Sequence, residues 1–420
     1  MNLADSGILS AVMEQSGYRP TAIPEEAEII IINTCSVREK AEERALGRLR
    51  ELVGIRKDHR TKICAVGCMA QRMGRDLVQK VPGIDFILGT EKLFELPGLI
   101  GRVNDGPLVD IQQGVPQELL EYPPQPDNPY SAHITITRGC NNYCAYCIVP
   151  YLRGPEKHRD PDKIINDVCH VLGKGIIEVT LVGQNVNSYE WEDLRFPGLL
   201  KRVIDETGLK RLRFITSHPK DLSDELIDLF GNEPALMGHL HLPLQSGSDR
   251  ILDLMRRRYT YDQYREKVKR IREARPDIAL TTDLIVGFPG ESEAEYQMTL
   301  AAVEEITFDA AFMFRYSVRE GTWAAKNLAD DIPETVKIDR LQKLIDLQKN
   351  ISFNVNQREV GRVRQVLIDG TSRRDAKIWK GRSEGNKTIL TESAENLIGR
   401  VVPVRITASD SWTLHGEHII

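Results

Sequence analysis

The chain has 420 residues, 41% hydrophobic and 28% charged, with a formal net charge of −5. This is the composition of an ordinary folded protein of about three domains, and the acidic balance argues against a nucleic-acid coat while leaving room for local basic patches. No apolar run nears the roughly 18 residues of a bilayer span, no secretory leader is expected, and seven cysteines, three of them clustered, suit a reducing cytoplasmic setting better than a disulfide scaffold.

Residues 1–104 alternate between helix and strand patterns. ADSGILSAVMEQSGY is amphipathic, AEIIIINTC is a buried-strand run ending at Cys35, and REKAEERALGRLRELVG is a charged helix. TKICAVGC is a strand ending at Cys68, followed by the strand IDFILG and the helix EKLFELPGLIGRV. The pattern predicts a small doubly wound α/β domain on a parallel sheet. Such a domain normally opens with a strand, whereas the first element here is a helix. Prolines 107, 116, 123, 124, 126 and 129 predict a linker over 105–130. From 131 to 357 the alternation resumes, with strands at HITIT, EVTLVG, RLRFIT, GHLHLPL, IALTTDLIVG and AAFMFRYS, and predicts a partial (β/α)6 barrel left by a long helix. Over 358–420, RVRQVLIDG, AKIWKGRS, KTILTE and VVPVRITASD predict a small antiparallel β-barrel.

The segment TRGCNNYCAYCIVPYLRG sets Cys140, Cys144 and Cys147 at C-x3-C-x2-C spacing. Thiolates bind zinc or iron–sulfur clusters. Structural zinc closes with four ligands; His158 is a candidate fourth, but the spacing matches no common zinc ribbon. A 4Fe-4S cubane on three cysteines leaves one iron open to an amine and a carboxylate. The loop follows the first barrel strand, and in such barrels active sites lie at the carboxyl ends of strands. Tyr146 is placed to cover a ligand with its ring.

C-x3-C-x2-C with an aromatic before the last cysteine resembles the signature of radical S-adenosylmethionine enzymes. LVGQNVNSY, TSHPKDLSDE, HLHLPLQSGSDRILDLMRRRYT and TTDLIVGFPGESE follow later strands. Together with NTCSVREKAEERALGRL they resemble the tRNA methylthiotransferases over almost the whole chain, closest to the group acting on isopentenyl-adenosine beside the anticodon. The resemblance implies that the open iron binds the methionine end of S-adenosylmethionine and that one electron releases a deoxyadenosyl radical. Hydrogen is then taken from carbon 2 of the modified adenosine, and sulfur carrying a methyl from a second cofactor molecule is inserted. It assigns Tyr146, Gly183, Gln184, Asn185, Ser217, Gln245 and Arg258 to the cofactor, with no catalytic residue beyond the cluster ligands. The same polar residues are also what βα turns and surfaces ordinarily carry. His218, before Pro219, reads as a structural strand-end residue.

Parallel strands converge at their carboxyl ends, which brings Cys35 and Cys68 together. The resemblance assigns both to an auxiliary 4Fe-4S cluster that handles the inserted sulfur. In the family the third ligand lies in a G-C-Q-M-N segment, and this chain opens M-N-L-A-D-S. The expectation is therefore a chain lacking that ligand and the first strand, able to cleave the cofactor but inserting sulfur poorly. Cys64 and Cys169 read as packing residues.

The terminal barrel resembles the RNA-binding TRAM domain. Arg362, Arg364, Arg373, Arg374, Lys377, Lys380 and Arg382 outnumber Asp369 and Asp375 there. The RNA-contact candidates are Arg373, Arg374, Lys377, Arg382 and, for stacking, Trp379. GRSEGNK departs from the family's G-R-T-x-x-N-R, with Lys387 keeping a phosphate charge but losing arginine's fork. Arg256, Arg257 and Arg258 form a second basic stretch near the barrel mouth. The expected partners are a tRNA anticodon stem-loop and a reductase or flavodoxin-type electron donor, with no membrane and a monomeric state. The competing readings are action on threonylcarbamoyl-adenosine or a ribosomal-protein aspartate and, from another class, a non-catalytic zinc-containing RNA-binding protein.

Overall fold

The computed structural model describes residues 2–36, 39–56, 61–100, 106–112, 126 and 128–419. Its first sheet is parallel, with strands β1 (Ile29–Thr34), β2 (Lys62–Gly67), β3 (Phe86–Leu88) and β4 (Leu108–Asp110) in that order. Alternate side chains leave opposite faces of a strand, so both faces need cover. Helix α1 (Asn2–Gln15) packs Ile8, Leu9 and Val12 on Cys64, Val66, Phe86 and Leu88. Helix α2 (Glu39–Ile55) packs Leu49 and Leu52 on Ile63, Ala65 and Ile87. Strand β4 lies inside the stretch read as linker: Leu108 and Val109 are a short apolar pair, and the Asp110 carbonyl accepts from the Gly89 N–H at 2.8 Å. Residues 113–125, the centre of the proline-rich stretch, lie outside the described residues. Of the helix expected over EKLFELPGLIGRV, whose residues 101–103 lie outside the described residues, the structure shows a 3-10 turn at Leu93–Glu95 and one helical turn at Leu96–Leu99, with Pro97 and Gly98 interrupting regular helix.

Two three-stranded parallel sheets form the central barrel. One holds β5 (Ser131–Thr135), β6 (Glu178–Val182) and β7 (Leu212–Phe214) in the order β7-β6-β5. The other holds β8 (His239–His241), β9 (Ala279–Val286) and β10 (Ala310–Arg315). The bridge Leu212↔Leu236 joins them. Among the described residues β5 and β10 each pair on one side only, so the barrel is open there. Outward residues such as Ile134, Leu181, Leu240, Leu280 and Leu284 merge with the surrounding helices into the main core. The register turns the alternate residues inward: His133, Thr180, Arg213, His241, Thr281, Asp283 and Phe312. The lumen is therefore polar.

A long helix (Glu334–Gln357) leads to a closed five-stranded barrel: β11 (Val363–Thr371), β12 (Ile378–Arg382), β13 (Thr388–Glu392), β14 (Val401–Ser409) and β15 (Thr413–His418). Its pairs are antiparallel except β13 with β15. The sequence pattern missed β15, whose only buried residue is Leu414. Here the chain closes the barrel by pairing rather than by burying an apolar face.

Candidate active site

The three-cysteine loop leaves β5 through Gly139, whose φ of +77° suits glycine and whose place a Cβ would contest at 2.0 Å from the Pro155 carbonyl. Cys140 N–H donates to Gly154 O at 3.3 Å, and Cys147 N–H to Cys144 O at 2.9 Å. Two longer-range bonds strap the loop: Ala145 N–H to Met255 O at 2.9 Å and Ala324 N–H to Ala145 O at 2.8 Å. The three thiols lie within electrostatic reach of one another. Burial pushes Cys140 up to about 11 and Cys147 to about 12, and charge on Cys144 adds to both.

Arg257 completes this centre. It is 4% exposed and donates from Nη1 to Cys144 Sγ at 3.2 Å and to the Tyr146 hydroxyl at 3.4 Å. Its Nε reaches the Tyr259 hydroxyl at 3.1 Å and its Nη2 the Pro243 carbonyl at 3.1 Å. Burial opposes its charge, but Tyr146, Tyr259 and Cys144 outweigh that and hold it above the ordinary arginine value. Its neighbours Arg256 and Arg258 have φ of +59° and +60°, and both are exposed. That backbone turns the middle arginine of the triplet inward and the outer two outward. Arg256 lies over the Trp323 ring at 4.0 Å. Arg258, the expected cofactor residue, stands close enough to His218 to help hold it neutral, but burial is the larger cause. Nothing in the sequence marked the middle arginine as the inward one.

The mouth of the barrel collects buried polar atoms without a hydrogen-bond partner. Gln184 Oε1, Asn185 Oδ1, Ser217 Oγ and Gln245 Oε1 are all in this state, as is His218 Nε2. Leaving such groups unmet costs about 1–3 kcal/mol each, and groups kept in that state at strand ends suit a polar ligand. Gln245 has φ +74° and Thr216 φ +74°, left-handed backbone that concentrates at functional sites. The two loops that carry these residues are laced together: Val186 N–H to Thr216 O at 3.0 Å, His218 N–H to Asn187 Oδ1 at 2.8 Å, and Asn185 Nδ2 to Asp221 Oδ2 at 2.8 Å. Gly183 has a packing reason of its own, since a Cβ there would lie 2.0 Å from Thr137 Oγ1. His218 Nδ1 accepts from Lys220 N–H at 3.2 Å, the structural part read from the sequence.

Cys35 and Cys68 follow Thr34 and Gly67, which face each other in the β1–β2 register. Cys68 opens a short helix, α3 (Cys68–Met73), and packs with Ile148 and Leu152, just beyond Cys147. Arg153 ends helix α4 (Val149–Arg153) and donates from Nε to Cys68 Sγ at 3.3 Å and from Nη2 to Asp5 Oδ2 at 2.6 Å. Asp5 on α1 is 1% exposed and also meets Arg138 at 3.1 Å. Burial opposes its charge, yet Arg153 and Arg138 hold its carboxyl below the usual range. Thus the structure sets Cys68 against the cluster loop across the boundary between the first sheet and the barrel. Cys64 is enclosed in the core, where burial pushes its thiol well up. Cys169, expected to pack, is exposed on its helix.

In the terminal barrel Arg373, Arg374, Lys377 and Arg382 are exposed. Trp379 is half-buried against the barrel core, and its Nε1 donates to Ser393 O at 3.3 Å, so less of its ring is offered for stacking than expected. Three basic residues read as part of this surface are otherwise engaged. Lys380 faces Asp369 at 3.8 Å, and Arg364 pairs with Glu359 at 2.6 Å and Asp277 at 3.1 Å. Lys387, read as a phosphate charge, meets Asp309 at 2.6 Å and Asn356 Oδ1 at 2.8 Å. The GRSEGNK segment is a docking loop. Arg213 donates to Ser383 O at 2.7 Å and Glu384 O at 2.8 Å, and Arg211 to Arg382 O at 3.3 Å, while Glu178 neutralises both arginines at 3.0 Å. The His158 ring is held by Glu156 and the Glu190 carbonyl and is not turned to the cysteines.

Comparison with known proteins adds three regional matches: the Radical SAM superfamily over 134–303, Uncharacterized protein family UPF0004 over 1–89 and the TRAM domain over 357–419. A tRNA-2-methylthio-N(6)-dimethylallyladenosine synthase from Bacteroides thetaiotaomicron is 42% identical over 428 residues, spanning 100% of this chain and 94% of that protein. The chain belongs to that synthase family. A second relative of the same name, from Moorella thermoacetica, is 43% identical over 100% of this chain and 96% of its own length. Among solved structures, the radical S-adenosylmethionine methyltransferase TsrM from Kitasatospora setae, with cobalamin and a 4Fe-4S cluster bound, matches with a TM-score of 0.58 at 14% identity, covering 77% of this chain and 70% of that one. The cobalamin-dependent radical enzyme OxsB matches with a TM-score of 0.51 at 13% identity, over 82% of this chain and 53% of that one. Both likenesses concern the fold.

For a synthase of this family, three thiols and a buried donor to one of them fit a three-cysteine cluster. Among the described residues no three His, Cys, Asp or Glu side chains converge as a single-ion site would need; a cubane, with one iron per thiolate, spaces its ligands wider. The orphaned oxygens at the mouth fit the amine and ribose of S-adenosylmethionine. The auxiliary site fits less well: the described residues bring only Cys35 and Cys68 to that sheet edge.

Proposed function

We propose that this chain is a radical S-adenosylmethionine methylthiotransferase, converting N6-isopentenyladenosine beside the anticodon of tRNA to its 2-methylthio derivative. The observation that carries the reading is the ring of partnerless polar atoms on Gln184, Asn185, Ser217 and Gln245 at the mouth that holds Cys140, Cys144 and Cys147. Cys140, Cys144 and Cys147 would hold the cluster, Tyr146 and the mouth residues would hold the cofactor, and Arg257 would fix the middle thiolate. The cluster and cofactor, when bound there, would supply the radical chemistry that activates the adenine ring. The protein's own part is to keep that reaction dry and oriented. Buried Gly183 and Ser217 line the mouth, and the polar lumen below receives the base, which must leave its stack to enter.

Arg373, Arg374, Lys377 and Arg382 meet the RNA backbone, with the exposed part of Trp379 beside them. A flavodoxin-type or reductase partner supplies electrons, the chain acts as a monomer, and the reaction is cytoplasmic. Among the described residues no cysteine is joined in a disulfide, which suits a reducing compartment, and no helix is long and apolar enough to cross a membrane.

Anaerobically reconstituted protein is to be incubated with anticodon stem-loops carrying isopentenyl- or threonylcarbamoyl-adenosine, and the nucleosides read by mass spectrometry. The expected outcome is a methylthio product from the first alone, in the low yield expected of an auxiliary site to which the described residues bring only Cys35 and Cys68. Product from the second alone, or zinc without iron in the purified protein, contradicts the reading.

A further inference from the structure

Most inward residues of the barrel are engaged with one another or with the docking loop at its floor. One patch combines such contacts with exposure. On β10, at the open side, Phe312 is 51% exposed although it belongs to a barrel strand. Its register partner on β9 is Asp283, and the His241 ring meets it edge-on at 6.0 Å between centroids. His241 Nε2 lies 3.5 Å from Asp283 Oδ2, with side-chain exposures of 15% and 30%. Thr281 accepts or donates at 3.0 Å to both His239 and His241, which sets the imidazole in place. The patch lies directly below the mouth, because the Gln245 N–H donates to the Asp283 carbonyl at 2.8 Å and the Ile285 N–H to the Gln245 carbonyl at 3.0 Å. It is therefore an aromatic face and a carboxylate side by side, reachable through the gap between β5 and β10 and one residue from a cofactor-binding loop.

We propose that His241, Asp283 and Phe312 form the specificity wall for the substituent on N6 of the target adenosine, taking an uncharged branched hydrocarbon and refusing a carboxylate. This rests on the substrate reading above. The apolar chain lies on the Phe312 ring and removes that surface from water, which is favourable in proportion to the area covered. The exocyclic N6–H is a donor and Asp283 an acceptor, so the base is oriented by the same wall. A threonylcarbamoyl group brings its own carboxylate to Asp283, and like charges at close range in a partly enclosed site repel. Specificity then comes from an attractive and a repulsive element together.

The test reads binding without turnover. Full-length protein, loaded with clusters but given no reductant, is titrated by fluorescence anisotropy against three anticodon stem-loops differing at one base: unmodified, isopentenylated and threonylcarbamoylated adenosine. Wild type is expected to favour the isopentenylated loop over the unmodified one by about tenfold or more, the scale of a few carbons in a pocket. Phe312→Ala collapses that ratio to within about threefold, and Phe312→Leu retains most of it. Asp283→Asn raises binding of the threonylcarbamoylated loop relative to the unmodified one. Ratios within one protein cancel any general loss of folding. A wild type that prefers the isopentenylated loop, with Phe312→Ala preferring it equally or Asp283→Asn leaving the threonylcarbamoylated loop unimproved, overturns this wall alone. A wild type with no preference, or a preference for the threonylcarbamoylated loop, overturns the wall and the substrate reading together.

Discussion

Arg257 is held in an unfavourable place. Its guanidinium is buried, and both flanking residues adopt left-handed backbone at a cost of about 1–3 kcal/mol each. Those costs are offset by four hydrogen bonds, one of them to Cys144 Sγ. Donors to a cluster's sulfurs stabilise the extra negative charge of the reduced state. Arg257→Gln is therefore expected to shift the cluster's midpoint potential downward and to slow deoxyadenosine release by about 10- to 100-fold, the usual loss for such outer partners. Arg257→Lys restores part of both. An EPR-monitored redox titration checks the first and a product assay the second. The three-cysteine loop could be read from the sequence because its spacing is local information. Arg257 could not, since three consecutive arginines carry no sign of which one the backbone turns inward.

The helix Glu293–Ile306 shows how an element at the barrel edge is secured. Ser292 and Glu295 form a reciprocal capping box, and Glu295 also takes Arg250 at 2.6 Å. Arg250 chiefly, then the Ser292 N–H and hydroxyl and Ser248, hold the Glu295 carboxyl at about 2, below its ordinary 4.5. A lowered folded value means stability that is fully present above pH 4.5 and lost as pH falls toward 2. Glu295→Gln should flatten that acid limb in urea melts while leaving the shape near neutrality unchanged. Ser292→Ala should cost about 1 kcal/mol at neutral pH. Strands with strong apolar runs, such as β1, β2 and β9, were evident in the sequence. Strand β15 and strand β4 were not, because each is recruited by pairing to an existing edge, which a local pattern does not record.

Polar clusters help join the whole molecule, two of them among the described residues bearing on the site. One is the Asp5–Arg153–Arg138 cluster, which sets Cys68 on the three-cysteine loop. The other is the docking of GRSEGNK beneath the barrel by Arg211, Arg213 and Lys387. Removing one partner of a buried ion pair typically costs about 3–5 kcal/mol, so Asp5→Asn is expected to lower the first thermal transition markedly and raise amide exchange around Cys68. On the reading proposed above, RNA would be met by the exposed Arg373, Arg374 and Lys377 of the terminal barrel. Arg373→Ala with Arg374→Ala should weaken all stem-loops about equally and reduce the slope of log affinity against log salt by about one for each phosphate left without its arginine. Lys387→Ala, in contrast, should loosen the domain seam with little change in that slope. The basic count of the segment was plain in the sequence; which lysines and arginines faced a neighbouring domain was not, because that depends on how two barrels meet.

The central claim is that Cys140, Cys144 and Cys147 together hold a cluster whose open corner takes S-adenosylmethionine. The most direct measurement is iron and sulfide per chain, with deoxyadenosine released under reducing conditions, for wild type and the variant with all three cysteines changed to alanine. The account predicts that the variant loses one cluster's worth of iron and sulfide and all deoxyadenosine release. Unchanged iron loading with undiminished release would contradict it.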